Sequence, residues 1–494
     1  MPFTVPEGIR EIEVRHDDQS EMNILDWGLA DPSRFRGWGG GNREPAVVAV
    51  EAASRSYLPG PIAAGTWSLL IGQAKVVERP ARYHVEIFLR ATPTLAAQPE
   101  RRPYADVPAL STGPRWYAGD FHVHTRESGD ASPTLDEAAT FARSRGLDFI
   151  ELSEHNTVSQ LELVGAAQAR HPDILYVPGI EVTTYAGHAN AIGATRWVDF
   201  RAGSPDAGVP IGEITDAVSS QNALFAINHP MLDLGDTCIG CAWSLREAPG
   251  RVAAIEIQNG QYSVTGLLFY PQVMRFWESY LERGEHVAPI GGSDDHSAGQ
   301  DHGMFSSPTG GPTTMVYATE LSAPAILAGV RAGRTVVKLQ GPGDPMVALR
   351  AGDALLGDTV RARRVTLRAT VTQGVGSELA FVRNGEARAP VTVNADPFTA
   401  TLDVDAPPGS SDDRWRCELM VGGRPRVVTG HVWVAATGDP IPVDAGRDAS
   451  VSTPATQGEG CGCRAGAPAR DGLWGALVAM VVGLRRRRRA RLTR

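Results

Sequence analysis

Six of the twelve histidines fall in five short polar islands between residues 119 and 296. The islands are Gly119-Asp120-Phe121-His122-Val123-His124, Ser153-Glu154-His155-Asn156, Gly179-Ile180-Glu181 followed by Gly187-His188-Ala189-Asn190, Asn228-His229-Pro230, and Gly292-Ser293-Asp294-Asp295-His296. Neutral imidazole and carboxylate are the donors that hold divalent transition metals. His122 and His124 are two residues apart, so on an extended strand both rings project to one side and reach one ion. Asp294 and His296 repeat that spacing, which turns Asp295 away from the pair, toward a supporting role or solvent. A carboxylate at Glu181 can bridge two ions. Clustered divalent ions bring a bridging water to hydroxide near neutral pH and polarise an electrophile, so this pattern predicts hydrolysis without a serine or cysteine nucleophile. Arg126, two residues past His124, is placed to bind an anionic or carbonyl oxygen; the alternative is a solvated loop arginine.

Such donors must be delivered by a frame. Several islands follow apolar runs, at 147–152, 174–178, 224–227 and 287–290. Polar residues at the ends of buried strands, around one mouth, are how a barrel builds an active site. Thr134 with Glu137 forms a capping-box pattern ahead of a helix at 135–145, which stops at Gly146. Strand-helix alternation continues to about residue 338 and predicts a parallel sheet or barrel spanning 115–340.

At 494 residues the chain exceeds one core, and a prior of roughly 150 residues per domain suggests about three. Residues 1–105 read as a β-rich domain, with strands at 10–14, 46–52, 66–71 and 82–91. Gly37-Trp38-Gly39-Gly40-Gly41-Asn42 lacks the lysine and following helix of a phosphate loop and reads as a tight glycine turn under Trp38. A proline-rich linker at 96–114 leads into the metal-bearing segment. Residues 344–436 return to β, with strands at 364–372, 378–383, 398–404, 414–421 and 426–434, as in a small sandwich. Residues 437–471 form a polar linker expected to be disordered, and 472–494 an apolar segment followed by an arginine block.

The net charge is −9, yet residues 485–494 carry seven arginines and no acid; removing those seven from −9 leaves −16 for the rest. An acidic body does not suit nonspecific nucleic-acid binding, so no nucleic-acid partner is expected. The five cysteines do not make a disulfide framework. Cys238 and Cys241 read either as a disulfide or as a turn with two thiols, and Cys417 as a small buried hydrophobe. The first residues have no basic stretch followed by an apolar core, so no signal peptide is expected. His16, His84, His171, His286 and His431 lie outside the islands and read as surface or packing residues, while His302 is placed to line the pocket or to stay in solvent.

The islands, in this order, resemble the motifs of the PHP (polymerase and histidinol phosphatase) metallohydrolase superfamily. Within it the chain is most similar to the branch of the carbaryl hydrolases (CehA/McbA). Asp26-Trp27-Gly28-Leu29-Ala30-Asp31-Pro32, Phe35-Arg36-Gly37-Trp38, Gly187-His188-Ala189-Asn190-Ala191-Ile192-Gly193 and Gly311-Pro312-Thr313-Thr314 share in that likeness, which covers roughly residues 8–345. The resemblance implies an α/β fold, a distorted (β/α)7 barrel, flanked here by an N-terminal and a C-terminal β-sandwich-like domain. It implies two or three divalent ions of zinc, manganese or iron. His122, His124, Glu181 and Asp294 would hold the first. His155 and His296, with an acid from Ser128-Gly129-Asp130, would hold the second. Glu181 would bridge to a third held by His188 and His229. The superfamily commonly has Ser-Asp-Gly where this chain has Ser-Gly-Asp, which displaces Asp130 by one position. Glu154 stands where aspartate is more usual and is expected to orient a ligand histidine. The implied substrate is a phosphoester, or a carbamate or aryl ester as in the closer branch, attacked by a hydroxide that bridges the ions. The alternative from another class is a surface-attached binding module with an inert barrel.

Gly460-Cys461-Gly462-Cys463, a spacer, the apolar stretch and the terminal arginines resemble the MYXO-CTERM sorting tail of myxobacterial surface proteins. That likeness implies export and membrane or cell-surface attachment. The 13 apolar residues 472–484 would span about 20 Å as a helix, short against a hydrocarbon core of roughly 30 Å. A basic peripheral anchor is the other reading of the same tail.

Overall fold

The computed structural model describes residues 1–202, 208–302, 307–408 and 412–436. The linker, apolar segment and arginine block expected at 437–494 lie outside the described residues.

The N-terminal region is two antiparallel sheets face to face. One has the order Pro2–Val5, Gly65–Lys75, Ile24–Ala30, Phe35–Gly40; the other Ala46–Ala49, Glu11–Asp17, His84–Arg90. Alternation puts Ile12, Val14, Trp27, Leu29, Trp67 and Leu69 between them, all buried. The glycine run expected as a turn is instead part of the edge strand Phe35–Gly40, paired with Ile24–Ala30. Gly28 gives room to an indole, since a side chain there would collide with the Trp38 ring, and a side chain at Gly37 would meet Ser56 O and Tyr57.

The central region does not show the expected distorted (β/α)7 barrel as one continuous sheet. Its strands divide between two sheets. The first runs Leu175–Val177, Phe149–Leu152, Thr112–Val123, Thr313–Glu320, Thr335–Lys338, with the first three parallel. The second runs Glu181–Thr184, Gly187–Ile192, Leu224–Ile227, Ala254–Asn259, Ala288–Gly292. Two features of the chain interrupt regular β/α alternation. Glu181–Thr184 and Gly187–Ile192 are joined by only two residues and must pair antiparallel. The stretch 228–253 forms no α-helix and makes only the short turn Gly235–Thr237 before Ala254–Asn259. The described residues hold five α-helices, Leu135–Ser144, Leu161–Arg170, Ile211–Ser219, Leu267–Glu282 and Ala323–Arg331, too few to cover every crossover. The first starts on the expected capping box, with Thr134 accepting from the Glu137 N–H and Glu137 reaching back to Thr134.

The two sheets touch where the polar islands lie. Single bridges join Val123 to Asp295 and His155 to Glu181. Asp294 N–H donates to His122 O at 2.8 Å, and Asn156 N–H to Glu181 O at 3.0 Å. The strands end there because Asn156 and Asp294 leave extended geometry, with φ of 54° and 58°.

The C-terminal strands are not a separate layer. Thr335–Lys338 pairs antiparallel with Arg424–Thr429, so the first sheet runs on through Asp412–Val421 to Glu378–Arg383. An unpaired edge strand satisfies its backbone in this way. A three-stranded sheet, Met346–Ala351, Arg364–Thr372, Phe398–Asp405, covers this extension over Val347, Leu367, Phe381, Trp415 and the buried Cys417.

Candidate metal centre

Three clusters of donors share one carboxylate. His122 and His124 turn their rings to the same side, with centroids 5.1 Å apart. Their Nε2 atoms lie 3.3 and 3.2 Å from one oxygen, Asp294 Oδ1. Glu181 Oε1 is 3.2 Å from His122 Nε2, and its Oε2 is 3.8 Å from His124 Nε2.

Beside this group, His155 Nε2 and His296 Nε2 stand 3.4 and 3.5 Å from Asp130 Oδ2. The displaced acid therefore still arrives, because Gly129 turns at a φ of 88°. Asp130 is exposed at the mouth (59% of its side chain). His124 also joins this cluster: donor atoms of His124, His155 and His296 lie within 4.8 Å of one another. His155 Nδ1 reaches Glu181 Oε2 at 2.7 Å.

The third group is Glu181, His188 and His229, again with donors within 4.8 Å. Glu181 Oε1 is 3.5 Å from His188 Nδ1 and 3.3 Å from His229 Nε2. His229, like Asp294, holds a positive φ, here 27°, a local cost that packing around a functional site sustains.

The residues fit divalent cations. His122 Nε2 and His124 Nε2 are fully buried and make no hydrogen bond, an expensive state for a polar atom unless something else occupies its lone pair. Burial, with His296 and His155 alongside, drives His124 down to about 3, so its imidazole is neutral and able to bind a cation. Burial opposes the charge on Glu181, yet His122, His155 and His188 outweigh it and hold the carboxyl well below its usual range. Imidazole with carboxylate suits ions of the zinc, manganese and iron class.

Other expected residues stand apart. Glu154 accepts from the Thr125 N–H at 3.0 Å, fixing the turn after His124, and also hydrogen-bonds Ser128, whose Oγ meets His124 Nδ1. Asp295 does face away: it accepts from Ser297 N–H at 2.9 Å and Thr309 N–H at 2.8 Å, organising the following loop. Arg126 is exposed on the turn Arg126–Ser128, within electrostatic reach of Glu137. His302 is exposed. His16 and His286 stack on Trp27 and Trp433.

Residues not singled out in the sequence complete the site. Glu256, buried on Ala254–Asn259, has Oε1 3.2 Å from His122 Nδ1, and its Oε2 accepts the His229 N–H at 2.7 Å. Its signal was present: an acid alternating with Ile255 and Ile257 on a buried strand faces the opposite side from them. Ser128 Oγ lies 2.7 Å from His124 Nδ1, and Asn228 donates to Glu181 Oε1 at 2.9 Å. The N-terminal sandwich forms one wall of the mouth. Asp26 accepts from Tyr185 O–H at 2.6 Å and lies within electrostatic reach of His155 and Asp130. Ser56 Oγ donates to Glu127 O at 2.7 Å, holding the turn that carries Asp130.

No family model matches the chain, and no curated protein does. Among solved structures it is similar to a two-domain protein from Bacteroides vulgatus ATCC 8482 containing a predicted PHP-like metal-dependent phosphoesterase. That likeness has 19% identity and a TM-score of 0.37, and covers 68% of this chain and 100% of that one. A second is a protein of Bifidobacterium adolescentis ATCC 15703 to which metal-dependent phosphoesterase activity is ascribed, at 14% identity and TM-score 0.24, covering 38% of this chain and 91% of that one. At these identities and scores neither likeness bears on what the cluster binds.

Proposed function

We propose that the chain is a metal-dependent hydrolase of ester bonds. The observation that carries this reading is the convergence of six histidines from five separate islands on Glu181 and the two aspartates, with two buried Nε2 atoms left for a cation. His122, His124 and Asp294 would hold one ion, His155 and His296 with Asp130 a second, and His188 with His229 a third, Glu181 being shared. Divalent ions in such a site lower the pKa of water and polarise the electrophile.

The chain's own residues support water as the nucleophile. The hydroxyls beside the cluster are held in hydrogen bonds: Ser128 Oγ lies 2.7 Å from His124 Nδ1 and Thr183 Oγ1 2.8 Å from His155 Nδ1, while Ser153 donates to Val123 O at 3.1 Å and Ser293 to His122 O at 3.2 Å. Cys238 and Cys241 are paired as a disulfide. The substrate enters past Asp130, His296 and the Asp26–Tyr185 pair. The resemblance of the islands to the PHP superfamily favours a phosphoester; the likeness to the CehA/McbA branch favours a carbamate or aryl ester. Export and surface attachment through the tail belong to the same proposal and rest on the tail's likeness to sorting signals.

The test is a panel of phosphomonoesters, phosphodiesters, aryl esters and carbamates, run after reloading with zinc, manganese or iron. Turnover of at least one class is expected, with a loss of 100-fold or more in Glu181→Gln. A chain that binds no metal when purified without chelator is instead an inert-barrel binding module.

A further inference from the structure

Resting on that reading of the third ion, a second layer lies around its two histidines. The loop between Leu224–Ile227 and Ala254–Asn259 contains Cys238-Ile239-Gly240-Cys241, closed by a disulfide with Cα atoms 5.6 Å apart. Two of its main-chain carbonyls face the two imidazoles. Ile239 O lies 3.3 Å from His188 Nε2, and Cys241 O lies 3.3 Å from His229 Nδ1. On each ring the other nitrogen is the one facing Glu181 Oε1. A carbonyl accepts only from N–H, so the loop fixes the proton on the outer nitrogen and leaves the inner lone pair free.

The loop is pressed into place from both sides. Gly240 turns at a φ of 77°, and a side chain there would meet Thr184 O and the Tyr185 backbone. Trp243 N–H donates to Pro230 O at 2.9 Å, and Ser244 N–H to Ala186 O at 2.8 Å. The disulfide is the covalent element that holds the Ile239 and Cys241 carbonyls in one short ring, so opening it removes the shared constraint on both ring partners at once and leaves only the hydrogen bonds and packing on either side.

We propose that the Cys238–Cys241 loop is a redox-sensitive lock on the third ion: closed, it orients His188 and His229; opened by a reductant, it lets that ion go while the other two stay. Opening takes two electrons and two protons and yields two thiols. A water-soluble phosphine supplies this, becoming the phosphine oxide with the oxygen of one water, whose two hydrogens end on the sulfurs.

The experiment counts zinc per chain by elemental analysis after loading and dialysis. The oxidised chain, the phosphine-treated chain and the Cys238→Ser/Cys241→Ser double variant are compared. Three ions in the first and two in the others are expected. An unchanged count overturns the proposal, as does an oxidised chain with only two ions. So does a rise on reduction, which would mean that the thiolates, with donors within 4.8 Å of His188, had become ligands. If the double variant does not fold, the phosphine arm decides alone. An oxidised chain with no zinc sinks the metal-centre reading itself.

Discussion

Glu256 binds the rings and backbone of two clusters with one carboxylate, and neither contact needs it to touch a cation. Its Oε1 fixes the outer nitrogen of His122 and its Oε2 holds the His229 backbone. Asn259 Nδ2 adds a third bond at 3.2 Å. Carboxylates placed this way typically account for about 10–100-fold in metal affinity or activity when changed. Glu256→Gln keeps the volume but offers an amide N–H where one acceptor stood. A 10–100-fold weaker zinc affinity, measured by competition with a chromophoric chelator, is expected with the circular dichroism spectrum unchanged. Equal affinity would show that Glu256 is only a satisfied core carboxylate. Four of the candidate donors, His122, His124, Asp294 and His296, were legible as a His-x-His and an Asp-x-His pair. Glu256 showed only its alternation with Ile255 and Ile257; its role was not legible, because its strand carries no second donor and its partner histidines are 134 and 27 residues away.

At the scale of elements, the N-terminal sandwich shows how a histidine outside the centre acts on stability. His16 lies on Glu11–Asp17 and stacks on Trp27 with centroids 4.6 Å apart. Burial drives it down to about 4. The fold therefore prefers the neutral ring, and stability is lost as pH falls from the ordinary histidine value near 6.5 through 4. The loss reaches about 1–2 kcal/mol near pH 4.5, from ~1.4 kcal/mol per unit reduced for partial exposure. Urea unfolding of His16→Phe, which keeps the stacked ring, should show that much less decline between pH 7 and 4.5. An identical decline in both proteins would rule His16 out as its source. The strands around His16 were readable from alternation, and the capping box gave the helix Leu135–Ser144 to within a residue. The strand Phe35–Gly40 was not, because its glycines leave no alternating apolar pattern.

Over the whole molecule, two sheets and their extensions form the frame, and no helix among the described residues is long and apolar enough to cross a membrane. If the tail at 437–494 anchors the chain, removing it should leave turnover on the preferred ester unchanged and move the protein from the membrane or surface fraction to the soluble one; unchanged fractionation would end the sorting-tail reading. The sequence by itself determined the donor types, their pairing two residues apart, and the buried strands that carry them, since imidazole chemistry and strand periodicity are local. Only the tertiary structure decided that Glu181 is shared by three clusters, that Glu256 and a disulfide loop stand behind the histidines, and that the strands divide between two sheets that meet at the site. Those outcomes depend on crossover lengths and on contacts between residues scores of positions apart, and no local pattern records them.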